Sequence, residues 1–212
     1  MKDYQDKFIR IALKSEALIF GDFTLKSGRN SPYFFNAAKM LNTKFLADLS
    51  ECYTKTLQEL DVSFNSIYGP AYKGIFLASI IGTSLGESDL DIPISFNRKE
   101  EKHHGEGGDI IGQLPSGNVL IVDDVISAGT AARESIEKIK SIGANPKVML
   151  VGLDRQEKGS SEISAKAELE NDFGLTVSSI VNLDLLISFV SDDPNFKEFK
   201  SDLEEYRSNW GA

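Results

Sequence analysis

The sequence is poor in the residues that build covalent crosslinks and metal clusters. Its 212 residues include one cysteine, Cys52, and two histidines, His103 and His104. A single cysteine excludes an intrachain disulfide and a cysteine-based zinc cluster. Two adjacent imidazoles without a third ligand make poor zinc geometry. We therefore predict no metal site that is built from protein side chains.

Positive charge is also scarce. The chain has 23 lysines and arginines against 32 aspartates and glutamates, a formal net charge of −9. Such a balance gives no basic surface for non-specific binding to nucleic acid, so we predict no nucleic-acid partner. Any polyanion that the protein binds must be met by a local cluster of cations.

Long hydrophobic runs are absent as well. No apolar stretch approaches the roughly 20 residues that span a membrane. The first 20 residues, MKDYQDKFIRIALKSEALIF, mix charges through their apolar positions, unlike a signal peptide. Yet 41% of the residues are hydrophobic and 13 are phenylalanine, enough for a substantial core. We expect a soluble, cytoplasmic protein with no membrane partner.

The hydrophobic spacing changes along the chain. Residues 3–19 and 44–60 have helical spacing, and between them two segments rich in Phe, Thr and Tyr flank a predicted hairpin turn at 27–30. From residue 64 onward, apolar strands alternate with helices. Strands are predicted at 64–69, 92–97, 118–122, 147–154 and 176–181, and helices at 74–86, 130–142, near 161–172 and beyond 181.

This alternation predicts an α/β fold with an open, mainly parallel sheet and helices on both faces. The length favours one domain. Because residues 1–60 lack the alternation, we predict that they form a small N-terminal hood over an α/β core formed by 61–212. Residues 98–109, RKEEKHHGEGGD, have no large apolar side chain and predict an exposed, mobile loop.

The most informative segment is NVLIVDDVISAGTAARES, residues 118–135. An apolar strand runs into Asp123 and Asp124, and a short Ser127-Ala128-Gly129-Thr130 turn then leads into a helix. Backbone N–H groups and a helix N-terminus at the carboxyl edge of a parallel sheet form a phosphate cradle. Two neighbouring carboxylates suit vicinal sugar hydroxyls, so the combination indicates a ribose 5-phosphate site. A strand end with two solvated acids and an ordinary helix cap is the simpler alternative. A Walker-type magnesium carboxylate would need a G-x-x-x-x-G-K-[ST] motif, which the sequence lacks.

Several segments resemble those of one enzyme family. VLIVDDVISAGTA resembles the phosphoribosyl-diphosphate signature of the type I phosphoribosyltransferases, which have a Rossmann-like fold. FTLKSGRNSPYFFN, YGPAYKGI, FNRKEEKHHGEGG and LDRQEKG resemble the orotate phosphoribosyltransferases, in that family's order and spacing. The resemblance spans essentially the whole chain. It implies Mg²⁺-dependent transfer of phosphoribose from 5-phosphoribosyl 1-diphosphate (PRPP) to orotate, which gives orotidine 5′-monophosphate and pyrophosphate in pyrimidine (UMP) biosynthesis.

The resemblance also implies residue roles in binding PRPP. The residues concerned are Tyr72, Lys73, Arg98, Lys99, Lys102, His104, Asp123, Asp124, Val125, Ile126, Ser127, Ala128, Gly129, Thr130 and Ala131. Among them, Lys73, Lys102, His104 and Asp124 are the implied catalytic residues. Lys102 and His104 would reach the neighbouring subunit's site, so the resemblance implies a homodimer in which loop 98–109 completes the partner's active site. Because Glu100, Glu101, Glu106 and Asp109 cancel the loop's positive charge, a merely solvated loop is the alternative on sequence alone.

For orotate, the resemblance implies contacts from Lys26, Phe34, Phe35, Ser127 and Arg155. Orotate is a flat anion that needs an apolar face and positive charge. Neighbouring strand residues face opposite sides, so we expect one of the two phenylalanines to stack on the ring. The planar fork of an arginine suits a carboxylate. Ser127 stands where many family members have threonine, and since the hydroxyl is retained we expect modest weakening at most.

The implied cofactor, Mg²⁺, keeps several waters and is held largely by substrate phosphates, so it needs no cage of carboxylates. We assign Asp123 and Asp124 to the ribose hydroxyls and see no candidate nucleophile. Two other functions fit parts of the sequence: a phosphoribosyltransferase for a purine or another base, and a regulatory protein that binds PRPP without turnover. The hairpin motif and Arg155 argue against the first, and the loop cations Arg98, Lys99, Lys102 and His104 argue against the second.

Overall fold

The structure, a computed structural model, describes residues 1–25, 28–87, 90–98 and 109–212. In chain order the elements are α1 (Asp3–Lys14), β1 (Leu18–Thr24), β2 (Asn30–Phe35), α2 (Thr43–Glu59), β3 (Ser66–Tyr68), α3 (Lys73–Gly86), β4 (Ile94–Asn97), β5 (Ile110–Gly112), β6 (Asn118–Ile126), α4 (Thr130–Ser141), β7 (Asn145–Asp154), α5 (Ala165–Phe173), β8 (Thr176–Asn182), α6 (Leu183–Asp192) and α7 (Lys200–Trp210). Short 3₁₀ helices lie at Ala37–Met40 and Lys197–Phe199.

Six strands form one open sheet in the order β5-β4-β3-β6-β7-β8. Five of them run parallel, and β5 pairs antiparallel with β4 at one edge. The predicted open, mainly parallel sheet is therefore confirmed. Strand β5 was not predicted, because its three residues directly follow the polar 98–109 segment and show no alternation of their own.

Both faces of this sheet are covered by helices. Leu120 and Val122 of β6 lie in a hydrophobic cluster with residues of α1, α2, α3, α6 and α7. Val119 and Ile121 point to the opposite face, where they join residues of α4 and α5. This follows from the two-residue period of a strand, which sends successive side chains to opposite faces. The predicted helices on both faces are also confirmed.

The N-terminal segment contains the predicted hairpin, with β1 and β2 antiparallel and Leu18 opposite Phe35. The prediction of a helix through residue 19 was wrong. Helix α1 ends at Lys14, and Glu16 takes a left-handed φ of 58° while its N–H donates to the carbonyl of Leu13. Leu18 fits the helical spacing, but its tertiary partner is a strand, and that pairing decides its conformation.

Strand β6 is longer than the predicted 118–122. Its pairing with β7 continues until Ile126 lies opposite Asp154. Asp123 and Asp124 are thus strand residues, because backbone pairing to β7 does not depend on apolar side chains. Within the described ranges, no helix combines the length and the apolar character needed to cross a membrane.

Candidate active site

The turn between β6 and α4 forms a concave cradle at the carboxyl edge of the sheet. Gly129 caps α4 with a φ of 82°, a conformation that L side chains rarely adopt. A cavity of about 240 Å³ is lined by this turn and its neighbours, among them Asp123, Ser127 and Thr130. The partial positive charge of a helix N-terminus and its unpaired N–H groups favour an anion here. We call residues 127–131 the cradle.

Two residues from separate motifs meet beside the cradle. Lys73 is the first residue of α3, and its Nζ lies 2.6 Å from Oδ2 of Asp124. The aspartate side chain is 6% exposed and the lysine side chain 35% exposed. Gly74 lets α3 begin this close to β6, since a Cβ there would lie 2.6 Å from Cδ of Pro70 and 2.8 Å from the carbonyl oxygen of Val122. The predicted catalytic pair Lys73 and Asp124 is therefore in direct contact.

Asp123 is held through its backbone as well as its side chain. Its Oδ1 accepts the N–H of Asp124 at 2.9 Å, and its carbonyl accepts the hydroxyl of Tyr53 at 2.9 Å. Burial, together with the charge of Asp124, raises the pKa of the Asp123 carboxyl to about 7. Tyr53 comes from α2 and is buried.

Gly152 of β7 makes the space that Tyr53 uses. A Cβ on Gly152 would lie 2.9 Å from Cζ of Phe8 and 3.0 Å from both the Asp124 carbonyl oxygen and the Tyr53 hydroxyl. Neither Tyr53 nor Gly152 was predicted to belong to the site. Tyr53 gave only a helical hydrophobic signal, and its contact is to a backbone atom that no motif marks.

On the other side of Asp123, the turn before Lys73 lies close to the end of β4 and to the residue before β5. The N–H of Ala71 donates to Oδ1 of Asn97 at 2.8 Å, which ties the turn before Lys73 to β4. The Arg98 N–H donates to the Asp109 carbonyl at 2.7 Å, and Asp109 pairs with Lys138 of α4 at 2.9 Å. A cavity of about 560 Å³ lies here, lined in part by Asn97, Asp123 and Lys138.

Arg98 and Tyr72 each follow a residue that lines this cavity, and several other predicted contacts fall outside the described ranges. Arg98 is half-buried, and its Nε has no hydrogen-bond partner among the described residues. The Tyr72 side chain is exposed. The predictions for Lys99, Lys102 and His104, with most of the predicted loop 98–109, concern residues outside the described ranges, as does the prediction for Lys26.

The predicted base-binding residue Arg155 lies in a buried network, which we call the Arg155 cluster (Ser31, Tyr33, Arg155, Glu157 and Tyr206). Its Nε donates to Oε1 of Glu157 at 2.5 Å, and its Nη2 donates to Ser31 Oγ at 2.9 Å and to the Tyr206 hydroxyl at 2.8 Å. The guanidinium carbon lies 4.2 Å from the centre of the Tyr33 ring. The backbone N–H of Arg155 donates to the carbonyl of Ile126, so the cluster adjoins the cradle.

The two neighbouring phenylalanines of β2 face opposite sides, as expected. Phe35 is buried, with its ring 6.1 Å from that of Phe8. Phe34 is 40% exposed, and its ring centre lies 5.6 Å from that of Phe23. Phe34 is therefore the one of the two whose ring is accessible to a ligand.

The structure thus brings together Lys73, Asp123, Asp124 and the cradle at one sheet edge, with Arg155 adjacent. Sequence reasoning missed the other four members of the Arg155 cluster: Ser31, Tyr33, Glu157 and Tyr206. The first three lie inside the hairpin and LDRQEKG motifs but were not singled out there, and Tyr206 lies in the helical segments predicted beyond residue 181. Among the residues that the structure describes, no three His, Cys, Asp or Glu side chains are grouped to hold a metal ion.

Known proteins share both the sequence and the fold. The orotate phosphoribosyltransferase of Pseudomonas savastanoi is 49% identical over 212 residues, and that of Marinobacter nauticus is 47% identical over 212 residues, with 100% of both chains covered in each case. A crystal structure of the orotate phosphoribosyltransferase of Francisella tularensis matches with a TM-score of 0.83 and 38% identity, covering 97% of this chain and 99% of that one. No protein-family model matches the chain.

These relatives extend over the full length of the chain, and their identity is far above what a shared fold alone would give. The motifs that carried the resemblance are the segments that form the cradle, the Lys73 turn, the hairpin and the Arg155 turn. The chain therefore belongs to the orotate phosphoribosyltransferase family, pentosyltransferase enzymes of the type I phosphoribosyltransferase fold, as its sequence motifs predicted.

Proposed function

We propose that this chain transfers the phosphoribosyl group of PRPP to a ring nitrogen of orotate, with orotidine 5′-monophosphate and pyrophosphate as products, in pyrimidine nucleotide synthesis. The observation that carries the proposal is the Lys73–Asp124 pair beside a backbone-built anion cradle, in a chain of this family. The bond from the sugar carbon to the diphosphate breaks as the bond to the base forms. Negative charge therefore grows on the leaving group, while the ribose ring gains oxocarbenium character.

The cradle suits the 5′-phosphate of the ribose. Backbone N–H groups of residues 127–131 meet a phosphate without help from cationic side chains, and the hydroxyls of Ser127 and Thr130 add donors. The neighbouring Val125 and Ile126 supply the strand end from which the cradle projects. With the phosphate held here, the sugar extends over Asp123 and Asp124, whose carboxylates accept hydrogen bonds from the two ribose hydroxyls.

Lys73 suits the leaving group. An ammonium group has three N–H donors. One is engaged by Asp124 at 2.6 Å, which leaves two for oxygens of the diphosphate. Because Asp124 fixes the direction of the lysine, the charge is already in place when negative charge develops, and such preorganisation is the main source of electrostatic catalysis. Tyr72, one residue earlier, is a second contact to the same group.

The remaining cations come from segment 98–109. Arg98 lies at its start, and we propose that Lys99, Lys102 and His104 contact the diphosphate, with Lys102 and His104 reaching the site of a neighbouring subunit. The protein would then work as a homodimer. Closure of the segment over the substrates would exclude water, which otherwise hydrolyses an activated sugar, and would strengthen the charge interactions.

We propose that the base binds beside the hairpin, close to Arg155. The exposed ring of Phe34 is the candidate face for stacking, while the buried Phe35 can contribute its backbone. We propose that Lys26 meets the negative charge of orotate, that Ser127 donates from the cradle side, and that Arg155 donates from the opposite side. Together these groups distinguish a flat anion from a neutral purine.

The donor set at the sheet edge fits a magnesium ion that is held mainly by substrate. The Asp124 carboxylate is paired with Lys73, and the Asp123 carboxylate accepts a hydrogen bond from the N–H of Asp124. These carboxylates would therefore contact the ion only through water. Mg²⁺ prefers phosphate and water oxygens in this way. When bound, it would neutralise charge on the departing diphosphate.

We further propose one cytoplasmic domain in which residues 1–60 form the hood and contribute the base-binding residues, and residues 61–212 form the α/β core. In support, the base-side candidates Phe34 and Phe35 lie in β2, whereas the phosphate-side candidates follow strands of the large sheet.

The test of the proposed reaction is the loss of orotate's near-ultraviolet absorbance after addition of PRPP and Mg²⁺, with adenine and hypoxanthine as rival bases. Rapid loss with orotate alone, abolished by a chelator of divalent cations, is the expected result. Turnover of a purine instead, or binding of PRPP by calorimetry without turnover of any base, would contradict the proposal.

The shared site has its own test. A Lys102→Ala chain and an Asp124→Asn chain, each nearly inactive alone, should recover activity when mixed under conditions of subunit exchange, because one site of the hybrid then has neither substitution. Two copies of the Lys102→Ala chain mixed in the same way serve as the control. Absence of recovery, with exchange proven by differently tagged chains, would contradict a site shared between subunits.

A further inference from the structure

We propose that Tyr206 and Glu157 are positioning residues for the base: they hold the Arg155 guanidinium so that it offers a ligand only its Nη1 nitrogen. The proposal rests on the proposed function, because it deepens the role of Arg155 there. It makes the C-terminal helix α7 part of the base-binding site, although α7 carries no residue that the motifs single out.

The hydrogen-bond donors of Arg155 can be accounted for one by one. A guanidinium has five N–H groups: one on Nε and two on each terminal nitrogen. The Nε–H donates to Glu157, and the two on Nη2 donate to Ser31 and Tyr206. Among the described residues, the two on Nη1 have no partner. The fork of two nitrogens that would grip a carboxylate is therefore already used, and only one end of the group remains for a ligand.

The charge of Arg155 is compensated in the same network. Oε1 of Glu157 accepts both the Nε–H of Arg155 and the Tyr206 hydroxyl, each at 2.5 Å. Its other oxygen, Oε2, accepts from Nη1 of Arg29 at 2.8 Å. Glu157 and Arg155 are both buried, so their geometry is fixed by these bonds rather than by solvent. Arg155 thus acts as a directed pair of donors and contributes little free positive charge.

The tyrosine is itself fixed by the end of the chain. The N–H of Lys158 donates to the carbonyl of Trp210, and the N–H of Ala212 donates to the carbonyl of Gln156. The guanidinium of Arg29 also lies 4.7 Å from the centre of the Trp210 ring. Helix α7 and the residues after it are thereby tied to the turn that follows Arg155. Displacement of α7 would turn the guanidinium and move Nη1.

The variant Tyr206→Phe removes one hydroxyl and keeps the ring, which packs edge-on against Tyr33 at 5.9 Å. Nη2 then loses an acceptor and Glu157 loses a donor, so the guanidinium is held less firmly, by its remaining bonds to Glu157 and Ser31. Hydrogen bonds to charged groups contribute enough that we expect the KM for orotate to rise roughly tenfold. The KM for PRPP should stay within about twofold, since the cradle and Lys73 do not touch Tyr206.

The matched control is Tyr4→Phe. Tyr4 of α1 is half-buried and also donates its hydroxyl to a glutamate, Oε2 of Glu59, at 2.8 Å, but this bond is exposed to solvent. It should leave both KM values unchanged. A second variant, Ser31→Ala, removes the other acceptor of Nη2 and should shift the same KM in the same direction.

The outcomes distinguish the positioning role of Tyr206 from the proposed function. A rise in the KM for orotate alone, in Tyr206→Phe and Ser31→Ala but not in Tyr4→Phe, supports the positioning role. Equal rises in both KM values would reduce Tyr206 to a structural residue and overturn the proposal, as would unchanged kinetics in both cluster variants. If the unaltered chain consumed no orotate, the proposed function would fail first, and the positioning role with it.

Discussion

The cradle and the Arg155 cluster lie side by side at one sheet edge, but they are assembled in different ways. The cradle and the strand end before it form a continuous stretch, residues 123–131, to which α3 adds Lys73. The Arg155 cluster takes two members from β2, two from the turn after β7 and one from α7. The first site is built mainly from backbone and is exposed to ligands. The second is built from side chains that satisfy one another.

This difference in construction has an energetic consequence. The Lys73–Asp124 pair is open to solvent on the lysine side, so loss of the lysine affects the ligand more than the fold. The Arg155–Glu157 pair is buried on both sides, and removal of one member of such a pair leaves an uncompensated charge. Substitution of Lys73 should therefore lower activity more than stability, whereas substitutions in the Arg155 cluster should lower both.

The largest effect is expected from Lys73→Met. Because the lysine holds charge in place for the leaving group, kcat/KM should fall by about 10²- to 10³-fold, as when one preorganised donor is removed. The measurement is steady-state kinetics at saturating Mg²⁺, with the free energy of unfolding determined in parallel by urea. Lys7→Met, which breaks an exposed Lys–Glu pair of 2.8 Å between α1 and α2, is the control. Unchanged kcat/KM in Lys73→Met would mean that the Lys73–Asp124 pair has no role in the mechanism.

Arg155→Met tests how much the buried Arg155–Glu157 pair contributes to stability. Glu157 would keep only Arg29 as a cationic partner, and the free energy of unfolding should fall by about 3 kcal/mol, near the low end for a broken buried pair. The same urea series measures this. Arg10→Met, which breaks an exposed pair with Asp6, should cost at most about 1 kcal/mol. Equal losses in the two variants would show that the Arg155 cluster is no more stabilising than a surface pair.

Gly152→Ala tests whether the cradle depends on packing beneath it. The added Cβ would press on Phe8, Tyr53 and the Asp124 carbonyl at 2.9–3.0 Å, and overpacking of this kind costs about 2 kcal/mol. We expect reduced stability together with a raised KM for PRPP, since Asp123 and Asp124 move. The control is Gly86→Ala, where a Cβ would meet no heavy atom of the described residues within 4 Å. A stability loss without any change in KM would show that the packing around Gly152 does not position the binding site.

Asp123→Asn gives the smallest expected change in stability, and that change depends on pH. Burial and the Asp124 charge raise the pKa of Asp123 in the folded protein above its unfolded value of about 3.9. The destabilising contribution is therefore absent below about pH 4, grows as the pH rises, and is complete above about pH 7. Because water reaches the half-buried side chain and reduces this effect, we expect the variant to gain about 1.4 kcal/mol over the original chain across this range, roughly a third of the free energy that the full shift in pKa would give.

Urea unfolding at a series of pH values measures that difference. The gain should appear between pH 4 and pH 7 and stay level above pH 7. A difference that is flat with pH would mean that Asp123 ionises as readily in the folded protein as in the unfolded chain, and one that favours the original chain as the pH rises would mean that it ionises more readily in the folded protein. Either result would contradict a raised pKa.

The fold was largely predictable because its strands are apolar runs of the length that a parallel sheet buries. The boundaries that failed did so where tertiary pairing overrode local pattern. Leu18 fits a helical stripe but pairs with Phe35, and β6 continues through two aspartates because its backbone pairs with β7. The short edge strand β5 has no pattern of its own and exists because β4 offers it a partner.

The candidate site divides in the same way. The sequence by itself determined the cradle, since a strand, a glycine turn and a helix start follow one another in the chain, and it determined the residue types that a phosphorylated sugar requires. Only the tertiary structure decided that Tyr53 and Gly152 support the aspartates, that Phe34 rather than Phe35 has the accessible ring, and that Glu157 and Tyr206 occupy the fork of Arg155. The physical reason is distance along the chain: backbone geometry follows from neighbouring residues, whereas the hydrogen bonds that join Arg155 to side chains as distant as Ser31 and Tyr206 form only once the core has brought their elements together.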